Sequence, residues 1–128
     1  EGASKLIEVN VQGAASSTEA RTVARTIASS SLVKTAIYGC DPNWGRVIAA
    51  VGRSGVEVVE SKIDLYFGDT CLLKAGTPCS FEESEVRAAL EDVEVPIKID
   101  LNTGTCSATA WGCDLTPDYV RINSEYST

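Results

Sequence analysis

Residues 35–55, TAIYGCDPNWGRVIAAVGRSG, combine an apolar run, a rigid turn and an amphipathic helix in very little sequence. Residues 36–38 predict the end of a buried strand, which Gly39 breaks. Asp41 followed by Pro42 predicts a helix start, because the carboxylate can accept from free backbone N–H groups and proline occupies a first-turn position that needs no donor. The helix has one apolar face at helical spacing, formed by Trp44, Val47, Ile48 and Val51. Its end is signalled by Gly52, Arg53 and Gly55.

The sequence before this corner predicts a strand and a helix. Residues 5–11 alternate as in a half-buried strand, whose apolar face consists of Ile7, Val9 and Val11. Ser16 and Glu19 form a capping box, in which each side chain satisfies the other residue's backbone N–H. A helix is therefore predicted over residues 17–30. Its buried stripe consists of Ala20, Val23, Ala24 and Ile27.

The sequence after Gly55 predicts a hairpin, a helix and several strands. Residues 56–67 are rich in β-formers, and Gly68-Asp69 turns them into a strand over residues 70–73. Ser80 and Glu83 form a second capping box. The helix that follows should end near Glu91 and bury Val86, Ala89 and Leu90. Further strands are predicted at residues 97–101, 105–114 and 119–122.

The fold class that these elements predict is α/β (α+β), with a mixed β-sheet and two to three packing helices. A boundary near Gly55 would separate residues 1–55, a strand-helix-strand-helix unit, from residues 56–128, a small α/β domain. The length of 128 residues and the hydrophobic content of 44% are those of one ordinary domain. No apolar run approaches the roughly 20 residues of a membrane span, so we expect a soluble chain with no membrane partner.

Charge and residue content exclude several functions. The net charge of −7 argues against nucleic acid as a partner, and the basic pair Arg21 and Arg25 fits a solvated helix face. Histidine is absent, so a Ser-His-Asp or Cys-His site cannot be completed within the chain. No phosphate-binding glycine loop is present. Any catalysis must use carboxylates, hydroxyls or groups from elsewhere.

The five cysteines form an odd set without close spacing in sequence: Cys40, Cys71, Cys79, Cys106 and Cys113. Secreted disulfide scaffolds favour even counts, and zinc sites favour closely spaced cysteine pairs or histidines. We therefore expect structural, reduced thiols and a reducing compartment, with a metal or redox role as the alternative. No metal site is predicted.

Three places are candidates for chemistry. Glu1 offers a carboxylate, Asn123 an amide with donors and an acceptor, and Thr128 a hydroxyl together with a carboxylate if it is the true end. The alternative for Glu1, Asn123 and Thr128 is that each lies in a frayed, solvated terminus. Residues 41–46, DPNWGR, form the third place, where Arg46 could support a site or pair with Asp41, and the structural alternative is a capped helix with Trp44 in the core.

Three blocks of the sequence resemble one family in the same order. The run LVKTAIYGCDPNWGRVIAAVGRSG at residues 32–55 closely resembles the second-subunit signature of ornithine acetyltransferases, also called bifunctional glutamate N-acetyltransferases. The opening EGASKLIEV at residues 1–9 and the ending WGCDLTPDYVRINSEYST at residues 111–128 resemble the same family. The resemblance implies the DmpA/ArgJ-like fold. It also implies that the chain is a piece of a larger β subunit.

The resemblance implies a mechanism whose catalytic groups lie elsewhere. Family members cleave themselves before a threonine, which becomes an N-terminal nucleophile, takes acetyl from N-acetylornithine and passes it to glutamate. A threonine and a glycine of the first subunit resemble an oxyanion hole. The residues of this chain that match substrate-binding positions of the family are Glu1, Asn123 and Thr128. No catalytic residue of this chain is implied.

The same resemblance implies partners and a compartment. The ligands are N-acetylornithine, glutamate and ornithine, with acetyl-coenzyme A as an alternative acetyl donor in some relatives and no cofactor. The protein partners are the α subunit and the remainder of the β subunit, in a heterotetramer of two α and two β. The compartment is the cytoplasm, or a mitochondrion or plastid in a eukaryote.

Departures from the family leave alternatives open. Cys40 stands where many relatives carry a polar residue, and the loop from Cys71 to Cys79 follows no family motif. A family member with another acetyl acceptor is one alternative. A non-catalytic amino-acid-binding or regulatory α/β module is a second, and a purely structural or oligomerisation domain is a third.

Overall fold

The computed structural model describes residues 2–126, with side chains to residue 124. Its elements in chain order are β1 Leu6–Ala14, α1 Ser17–Ala28, α2 Ser31–Tyr38, α3 Trp44–Arg53, a short 3₁₀ turn Glu60–Lys62, β2 Asp64–Phe67, β3 Thr70–Lys74, β4 Thr77–Pro78, α4 Glu83–Glu91, β5 Glu94–Asp100, β6 Cys106–Cys113 and α5 Pro117–Tyr126. The α/β class is confirmed. The described residues contain five α-helices where two to three were predicted.

The six strands form one mixed sheet in the order β4-β3-β2-β5-β1-β6. β1 is parallel to β5, and the other neighbouring strands are antiparallel. Since β1 lies between β5 and β6, strands from both predicted domains share this sheet. The division into residues 1–55 and 56–128 stays a prediction.

The core lies on one face of the sheet. Along β1, Ile7, Val9 and Val11 are buried while Glu8 and Gln12 are exposed, as the alternation predicted. Their partners on β5 are also buried, so the apolar faces of the two strands coincide. Residues of α1 to α4 join them in one buried cluster. None of the helices in residues 2–126 is long and apolar enough to cross a membrane.

Helix α1 follows the prediction closely. The Ser16 hydroxyl accepts a hydrogen bond from the Glu19 backbone N–H at 3.1 Å and so caps the helix. The whole predicted stripe is fully buried: Ala20, Val23, Ala24 and Ile27. Burial of this stripe against β1 and β6 fixes the helix on the sheet.

The prediction of a strand at residues 36–38 is wrong, because these residues end helix α2. The Ser30 hydroxyl caps the helix by accepting from the Val33 backbone N–H at 3.3 Å. Val33, Ala36 and Ile37 then form its buried face at helical spacing. A short apolar run fits a strand and a buried helix equally well, so the periodicity alone did not separate them.

Helix α3 is confirmed, although its start lies two residues later than predicted. Its cap is Asn43, whose side-chain oxygen accepts from the Arg46 backbone N–H at 3.2 Å. Val47 and Val51 are buried as expected, but Trp44 is 36% exposed. The prediction that Trp44 packs in the core is therefore wrong, and Ala50 completes the buried face.

The second half contains two further corrections. Helix α4 buries Val86 and Leu90 as predicted, but it begins after Glu82 without a side-chain cap, and Ser80 is exposed. The hairpin at Gly68-Asp69 is confirmed by the antiparallel pairing of β2 and β3. Residues 119–122 are part of helix α5, not a strand, because Pro117 begins that helix at a position where no donor is needed.

Candidate functional site

The predicted substrate-binding residues lie at the two ends of the chain. Glu1 and Thr128 fall outside the described residues. Asn123 lies on helix α5 with its side chain exposed, and its Nδ2 donates to the Tyr119 carbonyl at 2.8 Å. An amide has two N–H groups and a carbonyl oxygen, so this one bond does not use up its capacity to bind a ligand.

The start of the chain packs against the start of helix α5. The Thr116 hydroxyl donates to the Gly2 carbonyl at 2.6 Å and accepts from the Tyr119 backbone N–H at 2.8 Å. Gly2 has a φ of +81°, and a Cβ there would lie 2.8 Å from the Tyr119 nitrogen. Only glycine fits this position without displacing the helix. The neighbour of Glu1 in the chain thus contacts the helix that carries Asn123.

Asp114 holds two further residues near the chain start, Ser4 and Lys5. Its carboxylate is fully buried and accepts from the backbone N–H groups of Ser4 and Lys5, both at 2.9 Å, and from the Ser4 hydroxyl at 2.5 Å. Its own backbone N–H donates to the Lys5 carbonyl at 3.2 Å. Charge-assisted bonds to several donors are strong, so they fix this segment. We call Asp114 and Thr116 together the terminal clamp.

The end of helix α2 joins the same region. The Lys5 ammonium donates to the Ile37 carbonyl at 2.8 Å, where the negative end of the helix dipole favours a cation. The Leu115 backbone N–H donates to the Lys34 carbonyl at 3.3 Å, and the Lys34 ammonium lies 5.6 Å from the centre of the Tyr119 ring. The stretch that carries the family resemblance is thereby tied to both chain ends.

A cleft of about 310 Å³ opens beside the terminal clamp. It is lined by Gly2, Ser4, Tyr38, Thr116, Pro117 and Asp118. The lining includes hydroxyl groups and a carboxylate, which can form hydrogen bonds to a small polar ligand. The cleft lies directly beside the segment that leads to Glu1.

The DPNWGR segment is structural in the described part of the chain. The Arg46 guanidinium donates to the Leu32 carbonyl at 2.9 Å, and the Asp41 carboxylate accepts from the Asn43 amide at 3.2 Å. The hypothesis that Arg46 pairs with Asp41 is therefore wrong. Arg46 thereby links α3 to the first turn of α2, and Asp41 bonds the side chain of the residue that caps α3.

Asp114 and Thr116 were missed at the sequence level. Thr116 had a local signal, since a threonine directly before Pro117 is typical of a helix start. Asp114 had none, because its partners lie about 110 residues earlier in the chain. Only the sheet pairing of β1 with β6 brings the two segments together.

Comparison with known proteins extends over the entire chain. The sequence model of the ArgJ family matches residues 1–128. Proteins named arginine biosynthesis bifunctional protein ArgJ are 51% identical in Symbiobacterium thermophilum and 52% identical in Oceanobacillus iheyensis, and both matches cover 100% of this chain. They cover 32% and 31% of those proteins, so the chain spans about a third of the length of the curated relatives it matches.

A solved structure shows the same architecture. The crystal structure of arginine biosynthesis bifunctional protein ArgJ from Bacillus halodurans superimposes with a TM-score of 0.94 at 54% sequence identity. The match covers 98% of this chain and 60% of that chain. From the family match and these identities over the whole sequence, it follows that the chain belongs to the ArgJ family.

Proposed function

We propose that this chain is part of the β subunit of an ornithine acetyltransferase, which transfers acetyl from N-acetylornithine to glutamate in arginine biosynthesis. Membership of the ArgJ family supports the proposal, and its named relatives are arginine biosynthesis proteins. One structural observation carries it: the terminal clamp holds the segment next to Glu1 against the helix that bears Asn123. The chain neighbour of Glu1, Gly2, therefore contacts the start of the helix that carries Asn123.

The role of this chain in the reaction is to bind and orient the substrate. The carboxylate of Glu1 pairs with the ammonium group of the ornithine side chain. The Asn123 amide still offers an N–H and an oxygen to the substrate, and Thr128 adds a hydroxyl. These groups hold the acetyl carbonyl in reach of a nucleophile, which converts the reaction into an intramolecular step.

The nucleophile is a threonine outside this chain. Its hydroxyl oxygen attacks the acetyl carbon of N-acetylornithine, the C–N bond breaks, and ornithine leaves with the proton. The amino group of glutamate then attacks the acyl-threonine ester, which releases N-acetylglutamate and restores the hydroxyl. The threonine's own α-amine acts as base. No histidine is required, in keeping with a chain that has none.

The proposed assembly contains the α subunit and the rest of the β subunit, produced by autocatalytic cleavage of one precursor. Two α and two β subunits form the enzyme, which works in the cytoplasm or in an organelle of a eukaryote. Residues 1–55 belong to the core of the β subunit and residues 56–128 form its small C-terminal domain.

The test is acetyl transfer by the full-length, cleaved protein that contains this chain. Labelled N-acetylornithine and glutamate are supplied without acetyl-coenzyme A, and labelled N-acetylglutamate is the expected product. A correctly cleaved sample that transfers no acetyl to glutamate would refute the proposal. Transfer to a different amine in a panel of acceptors would instead identify a family member with another acceptor.

A non-catalytic amino-acid-binding module is the second candidate function. The cleft beside the clamp favours it, because a cleft with hydroxyl and carboxylate groups in its lining can hold a small ligand without any nucleophile. Calorimetry with ornithine, together with a turnover assay, on the full-length protein discriminates the binding module from the acetyltransferase. Binding without turnover of N-acetylornithine supports the module, and turnover excludes it.

A further inference from the structure

Two cysteines that are eight positions apart in sequence meet in the structure. Cys71 lies on β3, Cys79 follows β4, and their sulfur atoms are 3.4 Å apart. The Cys79 backbone N–H donates to the Leu72 carbonyl at 2.9 Å, which continues the pairing of the two strands beyond Pro78. Both thiols are free. Sulfur atoms in van der Waals contact need only a small shift to reach the bonded distance of about 2.05 Å.

The turn between the two cysteines is anchored, so the thiols stay together. Ala75 and Gly76 both have positive φ, at 49° and 72°. The Ala75 N–H donates to the Asp64 carboxylate at 2.8 Å, and the Gly76 N–H donates to the Ile63 carbonyl at 2.9 Å. A Cβ on Gly76 would lie 2.5 Å from the Glu60 carbonyl oxygen. The hairpin therefore has little freedom to separate its two strands.

The pair is open to small molecules. Both cysteines line a cleft of about 580 Å³, together with Asp69, Glu82 and Glu85. The cleft lies at the β4 edge of the sheet, whereas the terminal clamp lies at the end of the β1–β6 pair, on the other side of the sheet order. Reagents that enter it would meet a thiol pair in an acidic setting, far from the proposed substrate site.

The other cysteines have different surroundings. The Cys40 sulfur contacts the Lys5 ammonium at 3.1 Å and the Leu90 carbonyl at 3.7 Å. The Cys106 sulfur lies 4.0 Å from the Ala15 carbonyl. Among residues 2–124 no group of three or more His, Cys, Asp or Glu side chains is arranged to hold a metal ion. Direct sulfur–sulfur contact is therefore what distinguishes the chemistry of Cys71 and Cys79.

We propose that Cys71 and Cys79 form a reversible disulfide by exchange with a low-molecular-weight disulfide. The oxidant is cationic or neutral, because the carboxylates of the cleft repel anions. The Cys79 thiolate attacks one sulfur of the oxidant, whose S–S bond breaks, and one small thiol leaves with a proton. The Cys71 sulfur then attacks the Cys79 sulfur of the mixed disulfide, and the second small thiol leaves with the other proton. Two protein thiols are oxidised, and one oxidant disulfide is reduced to two thiols.

The order of attack follows from the surroundings of Cys71. Burial raises the pKa of the Cys71 thiol above its usual value, and the neighbouring Cys79 thiol and the Asp64 carboxylate raise it further. The thiolate is the attacking form, so Cys71 is poorly suited to the first step. It is well placed for the second step, because its target is the sulfur that it already contacts.

The experiment treats the native full-length protein with cystamine and maps the cysteine peptides by mass spectrometry. We expect one linked peptide pair, Cys71 to Cys79, which has lost two hydrogens and which dithiothreitol restores. The variant Cys71→Ser should keep a cysteamine adduct on Cys79, because the second step is blocked. As matched controls, Cys106→Ser and Cys113→Ser should still form the Cys71–Cys79 link.

Two results would overturn the inference. One is a native wild-type protein in which Cys71 and Cys79 stay unmodified or carry stable separate adducts. The other is a link from either cysteine to a different thiol in the folded protein. Cystamine treatment of the urea-unfolded protein provides the comparison, since pairing there is not directed by the β3–β4 hairpin and mixed pairings are expected.

Discussion

At the scale of single residues, the buried carboxylate of Asp114 accepts hydrogen bonds from three donors near the chain start. These donors are the Ser4 and Lys5 backbone N–H groups and the Ser4 hydroxyl. The family resemblance pointed to Asn123, whose role stays a prediction, but nothing in the sequence pointed to Asp114. A residue that acts across about 110 positions leaves no pattern in the sequence around it.

Replacing Asp114 by alanine should loosen the chain start. Without the carboxylate, the three donors lose their acceptor, at an expected cost of about 1–3 kcal/mol in the free energy of unfolding. Urea denaturation of the full-length protein measures this cost. The exposed Asp92 is a matched control, and Asp92→Ala should change stability by less than about 0.5 kcal/mol. Equal effects of the two substitutions would contradict the role of the clamp.

Asp64 gives the fold a pH dependence. Burial raises the pKa of this carboxyl, but hydrogen bonds from the Ala75 N–H, the Asn102 amide and the Lys74 ammonium outweigh it and hold the pKa below its usual 3.8. A carboxyl whose pKa is lowered by folding stabilises the fold at pH values above 3.8 and loses that contribution as the pH falls through the lower folded pKa.

The test compares wild type with Asp64→Asn by urea denaturation at about pH 5 and about pH 2.5. Wild type should be the more stable protein at the higher pH, and the difference in free energy should shrink at the lower pH as the carboxylate is protonated. A difference that is equal at both pH values would show that the charge of Asp64 does not stabilise the hairpin.

At the scale of elements, helix α5 depends on one hydroxyl. Thr116 caps the helix through the Tyr119 N–H and also binds the Gly2 carbonyl, so Thr116→Val removes both bonds. Loss of a cap costs roughly 1 kcal/mol, and the chain start is released as well. We expect a higher KM for N-acetylornithine with a smaller change in kcat, because substrate positioning is affected and the nucleophile is not.

Thr116→Ser is the matched control for this prediction, because it keeps the hydroxyl that makes both bonds. Steady-state kinetics of the two variants should separate them, with Thr116→Ser close to wild type. If Thr116→Val and Thr116→Ser have the same KM, the hydroxyl does not position the site.

Elements with a clear period were predictable, and short apolar runs were not. β1 and α1 each have a long, regular pattern with one buried face, and both were found. Residues 36–38 and 119–122 were assigned to strands because three or four apolar positions fit either period. In both cases the helix is revealed by a cap just upstream, at Ser30 and Thr116.

At the scale of the whole molecule, helices α1 to α4 of the described residues bury one face of the sheet. Trp111 on β6 is paired with the exposed Glu8 and is itself 61% exposed. A tryptophan side chain has a large apolar surface, which is normally buried. The chain spans about a third of the length of the curated relatives it matches, and we expect the remainder of a full-length protein to cover the face that carries Trp111.

Hydroxyl-radical footprinting of the full-length protein tests that cover. In this chain Trp111 is 61% exposed and Trp44 is 36% exposed, so an uncovered Trp111 would be oxidised faster than Trp44. In the full-length protein we expect Trp111 to be protected and Trp44 to be oxidised faster. Faster oxidation of Trp111 than of Trp44 would show that the face stays open to water.

The class of the fold was predictable from alternation and capping, whereas the order of strands was not. Placing β1 between β5 and β6 requires pairings across more than 80 residues, which no local pattern encodes. The same long-range pairing assembles the candidate site. The three candidate substrate-binding residues therefore came from resemblance and stay a prediction, whereas the clamp came from the structure.

The kinetics of Asn123→Ala in the full-length protein test whether this chain supplies substrate-binding groups to an acetyltransferase. We expect a KM for N-acetylornithine raised about ten-fold or more, a loss of about 1.4 kcal/mol of binding, with an unchanged urea midpoint because the side chain is exposed. Gln12→Ala removes an exposed amide on β1 and should leave KM unchanged. A KM for Asn123→Ala equal to that of wild type would show that Asn123 does not bind the substrate.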